Sequence, residues 1–218
     1  MTSLTLRTWI EIDKKALRRN VAGFFDIISP DTRFMAVIKS NAYGHGLMAT
    51  AEEIVRVPRF AERGWFGVDS VVEALRLRRE GIRHPILVLG HTLAGRIKDT
   101  TRGNIALTVS TYDALHALGR ARTRPRFHLK LDTGMHRQGI LLSELDEAIA
   151  LALANPNLSL VGVATHLADA DNTDRTRSEA QLSLWKECVA KLETAFPSIV
   201  YKHAAATKGV GFSASYPM

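Results

Sequence analysis

The sequence predicts an α/β chain folded as a (β/α)8 TIM-type barrel that is incomplete, with about seven βα units present. Three observations carry this. Short runs rich in Val, Ile and Leu recur at residues 34–38, 65–68, 86–89, 105–109, 127–131, 160–163 and 199–201, each too short for a helix and bounded by turn residues. Helix-period segments separate them. Runs such as Ile86-Leu87-Val88-Leu89 are apolar on both faces, which suits a parallel sheet covered by helices on one side and packed on the other.

Taken in order, Trp9-Ile10-Glu11-Ile12-Asp13 alternates apolar and acidic residues as an edge strand does, and residues 14–28 follow with a helical pattern. The later helices have readable starts at Ser70 with Glu73, Ser110 with Asp113 and Ser143 with Asp146, where a hydroxyl can accept the free N–H groups of a first turn. Gly81 and Gly119 stand where the first two of these should stop. An open doubly wound sheet is the other architecture with this alternation, but no GxGxxG follows the first strand, and the barrel is favoured. Seven strands are counted where eight close a barrel, and Tyr216-Pro217-Met218 follows soon after the seventh. The expected division is therefore residues 1–12 as a strand that joins a second domain and residues 13–218 as the barrel. An unclosed barrel exposes two sheet edges, so the isolated chain is expected to self-associate.

Composition narrows the function classes. The 218 residues are 46% hydrophobic and 23% charged, with 15 Gly and 7 Pro, an ordinary globular balance. The longest apolar run falls far short of the roughly 20 residues a spanning helix needs, and no apolar core follows the charges of the first residues, so a cytoplasmic protein without a membrane partner is expected. Cys188 is the one cysteine, which excludes an internal disulfide and any Cys-rich metal site, and its helical surroundings suggest plain packing. Lys and Arg total 29 against 22 Asp and Glu, but the basic residues are scattered, which argues against a nucleic-acid footprint. No metal is expected, because His136 and His203 lack further ligands at metal spacing.

In a barrel of this kind the chemistry collects at the C-terminal ends of the strands, and the informative residues fall there. After the first strand comes Lys39-Ser40-Asn41-Ala42-Tyr43-Gly44-His45-Gly46; after the fifth, Lys130 to Gly139; after the sixth, Thr165-His166; after the seventh, His203-Ala204-Ala205-Ala206-Thr207. A lysine closing an apolar strand either reaches past the rim into solvent or is desolvated, with the lowered pKa that a Schiff-base amine requires. Tyr43 adds a hydroxyl and Gly44 and Gly46 let backbone approach a ligand closely.

Ala36-Val37-Ile38-Lys39-Ser40-Asn41-Ala42-Tyr43-Gly44-His45-Gly46 resembles the pyridoxal phosphate attachment motif of the alanine racemase family, which places its cofactor in the mouth of a (β/α)8 barrel. Trp9 to Asp13, Lys130-Leu131-Asp132-Thr133-Gly134-Met135-His136-Arg137-Gln138-Gly139 and Thr165-His166 match in order and spacing. The resemblance implies an isomerase interconverting L- and D-alanine with pyridoxal 5'-phosphate, Lys39 as the Schiff-base lysine and the base on one face of the substrate. It implies that Tyr43 holds the cofactor phosphate, that Arg137 contacts the cofactor's phenolic oxygen and the substrate carboxylate, and that His166 lies beside the pyridine ring. Lys130 falls on a lysine that some members carry as a carbamate; a plain cation packed beside Asp132 is the alternative. Thr207 keeps a hydroxyl for the phosphate, whereas Ala206 stands where the family usually has an asparagine. Family members continue into a β-rich second domain and form homodimers, and a tyrosine of the partner's second domain supplies the acid/base group for the opposite face. No residue here corresponds to it, so little racemisation is expected of this chain alone. Two other readings stay open: a single-domain pyridoxal phosphate carrier of the homeostasis type, and a barrel scaffold without ligand.

Overall fold

The computed structural model describes residues 8–101 and 103–212. Eight strands lie in one sheet: β1 (Phe34–Val37), β2 (Gly64–Val68), β3 (Ile86–Val88), β4 (Ile105–Val109), β5 (Arg126–Asp132), β6 (Ile140–Leu141), β7 (Ser159–Ala164) and β8 (Tyr201–His203). All pairings are parallel, in the order β1-β2-β3-β4-β5-β7-β8, with β6 attached to β5 beside this path. Each expected strand is present within two residues of its expected bounds, and β6 is an addition. Helices alternate with the strands, so the architecture is the incomplete (β/α)8 barrel. Among the described residues β1 and β8 each have one strand neighbour, which leaves the barrel open between them.

The pairing register sorts side chains onto two faces. Ala36, Phe66 and Ile86, then Val68, Val88, Leu107 and Phe127, follow one another across the outer face and pack beneath the helices, together with Phe60, Leu77, Leu118 and Trp185. The inner face carries Met35, Trp65, Leu87, Ala106, Thr108, His128, Gly162 and Tyr201 in matching register. Trp65, Leu87 and Ala106 form a second, smaller core there, with Met35, Leu89 and Tyr201 against it. Trp65 meets Tyr201 edge-on with ring centroids 4.7 Å apart, and the His128 ring stacks on Tyr201 at 5.7 Å and 10°. Gly162 makes room for that ring, since a Cβ there would lie 2.6 Å from His128 Nδ1.

The helix starts follow the sequence where one capping side chain is available and depart from it where two compete. Helix Lys14–Ile27 begins at Asp13, whose carboxylate accepts the N–H groups of Lys15 and Ala16 at 2.8 and 2.9 Å. Helix Val71–Arg79 begins at Ser70 and gives way to Gly81 at φ +94°, as expected. Helix Tyr112–Gly119 is capped by Thr111 rather than Ser110; Thr111 accepts from the Ala114 N–H, while the Ser110 hydroxyl receives Gln138 Nε2 at 3.2 Å. Gly119 is the last residue of that helix and not its stop; a Cβ there would come 2.3 Å from Asn155 Nδ2, so its smallness serves packing. Ser143 caps nothing: it sits in a 3-10 turn, Leu142–Glu144, and helix Leu145–Leu153 follows. The buried Glu53 carboxylate ties the first helix to helix Leu47–Val55 through Lys14 at 3.4 Å, Arg18, and Arg56 at 2.9 Å.

Residues 1–7 of the expected N-terminal strand and Tyr216, Pro217 and Met218 lie outside the described residues. Residues 8–13 pair with no strand, and Trp9 and Ile10 are 64% and 81% exposed. No helix among the described residues is long and apolar enough to cross a membrane. Cys188 is buried in helix Thr176–Ala195, where desolvation pushes its thiol up, the environment of an unreactive cysteine.

The tight fit of Gly162 against His128 predicts that Gly162→Ala destabilises the chain by about 1–3 kcal/mol, the usual cost of overpacking. Urea unfolding checks this, and His128→Ala in the same chain should return much of the loss; additive losses would show that the two residues do not compete for space.

Candidate active site

Inward-pointing residues at the strand ends meet in one cluster. Lys130 shares the inner face of β5 with His128 and pairs in register with Ala164, which pairs in turn with His203. Lys130 is half-buried and forms no ion pair among the described residues. Its amine is lowered to about 8, by burial first and then by the Arg137 charge, against which Asp132 only partly pulls. His166 is held below its ordinary value by burial first and then by the charges of Lys130, Arg137 and Lys39. His203 is pushed down to about 4 by burial and by Lys130. Beneath them His128, 1% exposed, is pushed well down by burial, and its Nδ1 lies 2.8 Å from His203 Nε2. Three cationic side chains thus converge on His166, one of them, Lys130, also acts on His203, and both histidines stay neutral at pH 7.

Lys39 is half-buried at the end of β1 and opens an unusual turn. Ser40, Asn41, Ala42 and Tyr43 all have positive φ, at 52°, 56°, 54° and 53°, before Gly44 at 90°. A single such L-residue costs roughly 1–2 kcal/mol, so a run of four needs outside support. Ala42 is buried in the core. The turn's own bonds run from Ala42 N to Ile38 O at 2.8 Å and from Gly46 N to Asn41 O at 2.9 Å. Asn41 Oδ1 accepts the Leu47 N–H at 2.9 Å, which starts helix Leu47–Val55, and the Asn41 N–H is given to Glu73 Oε1 at 2.9 Å.

The segment after β5 is organised by Asp132. Its Oδ1 accepts the N–H groups of Gly134, Met135 and His136 at 2.9, 2.9 and 3.0 Å. Burial pushes this carboxyl up, but the three N–H donors outweigh it and hold the group below its ordinary value. The loop closes at Gly139, with φ +144° and room for no Cβ, since one would fall 2.5 Å from the Asp132 nitrogen. Arg137 lies exposed on this loop and makes no hydrogen bond among the described residues. It lines a cleft of about 420 Å³ together with Ser110, Thr111, Asp132, Gln138 and Leu141.

The structure therefore brings Lys39, Lys130, Arg137 and His166 together. Tyr43, 61% exposed, and Thr207, exposed at the start of a 3-10 segment, Thr207–Phe212, sit beyond the ends of β1 and β8, and no hydrogen bond among the described residues ties either to the cluster. Sequence reasoning missed the partnership of His128 with His203 and the contact of Glu73 with the Lys39 turn. The alternating face of β5 could have signalled the first, because 128 and 130 differ by two; nothing short of the fold signals the second.

Residues 12–216 match the family model described as "Alanine racemase, N-terminal domain". The chain belongs to the alanine racemase family. It is 37% identical over 211 residues to the alanine racemase of Desulfosudis oleivorans, covering 90% of this chain and 53% of that protein. It is 33% identical over 208 residues to that of Fusobacterium nucleatum, covering 94% of this chain and 56% of that protein. Among solved structures, alanine racemase of Clostridium difficile superposes with a TM-score of 0.84 at 27% identity, over 95% of this chain and 58% of that one. That of Corynebacterium glutamicum gives 0.83 at 27% identity, over 95% and 58%. The chain spans about half the length of the curated relatives it matches.

A lysine amine lowered to about 8 is reactive where ordinary lysines are protonated. In amine labelling followed by peptide mass analysis, Lys130 should be modified with a midpoint near pH 8. Arg137→Ala, which removes a repelling charge, should move that midpoint up; an unmoved midpoint would mean that burial alone sets it.

Proposed function

We propose that this chain is the cofactor-bearing part of a pyridoxal phosphate-dependent isomerase that interconverts L- and D-alanine. The observation that carries the reading is the positive charge of Lys39, Lys130 and Arg137 around His166 at the strand ends, which Asp132 offsets only in part. The carboxylate that Lys130 feels, Asp132, gives one oxygen to three backbone N–H groups and forms no ion pair with the three cations among the described residues, so one carboxylate faces three cations and an anion is favoured. A phosphorylated aldehyde and an amino-acid carboxylate fit that need. When bound, pyridoxal phosphate supplies an aldehyde for the lysine and an electron-poor ring that stabilises negative charge at the substrate α-carbon.

In this reading Lys39 Nζ takes and returns the α-proton on one face. The Arg137 guanidinium holds the carboxylate and the phenolic oxygen with a planar fork that a lysine could not reproduce. The Tyr43 and Thr207 hydroxyls hold the phosphate from the two edge strands; Ala206 contributes no side-chain donor. His166, kept neutral by burial first and then by its cationic neighbours, offers a hydrogen bond beside the ring without adding charge. Lys130, in part a free amine near pH 8, can attack the carbon of CO2 with release of one proton, becoming a carbamate anion that orients Arg137. Removal on one face and return on the other requires a second acid/base group, to which none of the described residues is assigned. We assign that group to a second domain of a partner subunit in a homodimer, with residues 1–12 joining that domain's sheet, and place the protein in the cytoplasm.

Mixing the protein with pyridoxal phosphate should give a visible absorption band, and borohydride should then fix the cofactor's mass on Lys39; Lys39→Ala should lose both. A colourless wild-type protein overturns the reading. A chiral assay of D-alanine formed from L-alanine then separates an isomerase from a carrier. We expect little turnover from these 218 residues alone, restored when the second domain is supplied; full binding with no turnover even then would favour the carrier.

A further inference from the structure

We propose that Glu73 is a positioning residue for Lys39, holding the amine in place through the left-handed turn that follows it. The inference rests on the reading of Lys39 as the cofactor-bearing lysine. Four successive residues without glycine's freedom occupy the left-handed region immediately after Lys39, and such a segment relaxes unless its surroundings hold it. Among the described residues, every hydrogen bond to the backbone of residues 40–44 comes from residues 38–46, with one exception: the Asn41 N–H donates to Glu73 Oε1 at 2.9 Å. The other oxygen of the same carboxylate, Oε2, accepts the Asp69 N–H at 2.9 Å, just beyond β2. One carboxylate thus fastens the turn after β1 to the turn after β2, and both of its oxygens are occupied.

Glu73 is itself placed by its helix. It lies in the first turn of helix Val71–Arg79, whose backbone sets where the carboxylate starts; the cap from its N–H to Ser70 Oγ at 3.3 Å stabilises the helix and touches neither carboxylate oxygen. The next strand and helix unit therefore carries the clamp, and the clamp carries the turn that begins at Lys39. A glutamine cannot replace it, because one of its two terminal atoms is an amide donor that would face an N–H. An aspartate is a methylene too short to span both N–H groups. Both oxygens face backbone donors, and Glu73 forms no ion pair with Lys39, Lys130 or Arg137 among the described residues.

The test compares the full 218-residue chain with Glu73→Gln, Glu73→Asp, Ser70→Ala and Lys39→Ala, each titrated with pyridoxal phosphate, treated with borohydride and melted in parallel. Losing a charge-assisted hydrogen bond that positions the amine should raise half-saturation about ten-fold and slow the fixation of cofactor mass on Lys39 to a similar degree. Both Glu73 variants should show this. Ser70→Ala removes a cap from the same helix but leaves the carboxylate's two contacts, so it should lower the melting temperature and keep half-saturation within about two-fold. Glu73 variants that bind like wild type, or a Ser70→Ala chain that loses binding to the same extent, overturn the proposal, because the carboxylate would then do no more than cap a helix. If Glu73→Gln does not fold, Glu73→Asp decides by the same two readouts. A wild-type chain that binds no pyridoxal phosphate sinks the cofactor reading and this inference with it, an outcome distinct from Glu73 variants behaving normally in a chain that binds.

Discussion

Like charges brought together in a partly dry site repel one another, and the mouth of this barrel is built around that repulsion. Lys130 shows it most clearly: burial and Arg137 together bring its amine down to about 8. The backbone sets where these side chains start: Lys130 on the β5 ladder, Arg137 on the loop that Asp132 gathers, and Lys39 at the turn after β1. What the fold can adjust is the number of charges. His128, His166 and His203 are each held neutral, so the floor and wall of the mouth are lined with polar rings that add nothing to the repulsion. The site is thereby suited to anions, and its affinity for them is set before any ligand arrives.

The nearby carboxylates are used in one consistent way. Asp132 collects three N–H groups and shapes the loop that presents Arg137. Glu73 collects two and reaches the turn that follows Lys39. In both places an acidic side chain holds backbone that has left the regular regions, with His136 at φ 55° in one loop and Ser40 to Tyr43 in the other. Direct pairing with the cations would have stabilised the empty site and weakened its hold on a ligand. Spending the oxygens on backbone avoids that competition.

Much of the fold was legible because buried parallel strands have apolar residues on both faces, and runs such as Ile86-Leu87-Val88-Leu89 have no other ready explanation. β6 escaped notice because two residues carry no period. Ser110 and Thr111 both offer a capping hydroxyl, and only the position of Gln138 decides that Ser110 is engaged elsewhere. Gly119 carries the same ambiguity between a helix stop and a packing contact, settled by Asn155 from another segment. At the site, Lys39, Lys130, Arg137 and His166 were legible through strand-end position and motif, and they do converge. His128 was not, because its role depends on lying opposite Gly162 in a register no single strand reveals. The left-handed turn was not either, since nothing in Ser-Asn-Ala-Tyr favours positive φ strongly enough to predict four in succession.

An open sheet whose main path runs through seven strands could in principle lie flatter than a barrel wall, and the site would then disperse, because β1 and β8 stand at opposite ends of the strand order. The inner face prevents this. Trp65 on β2 and Tyr201 on β8 are far apart along the sheet yet meet at 4.7 Å across the interior, and His128 from β5 packs against both. These three rings bridge the enclosed space and hold the sheet curled, with no strand closing it among the described residues. Small residues at Ala106 and Gly162 let the rings approach, whereas bulkier side chains there would push the walls outward. Curvature among the described residues is therefore supported by interior packing, with no ladder between β1 and β8. The gathering of Lys39, Lys130 and His166 from the ends of β1, β5 and β7 follows from it.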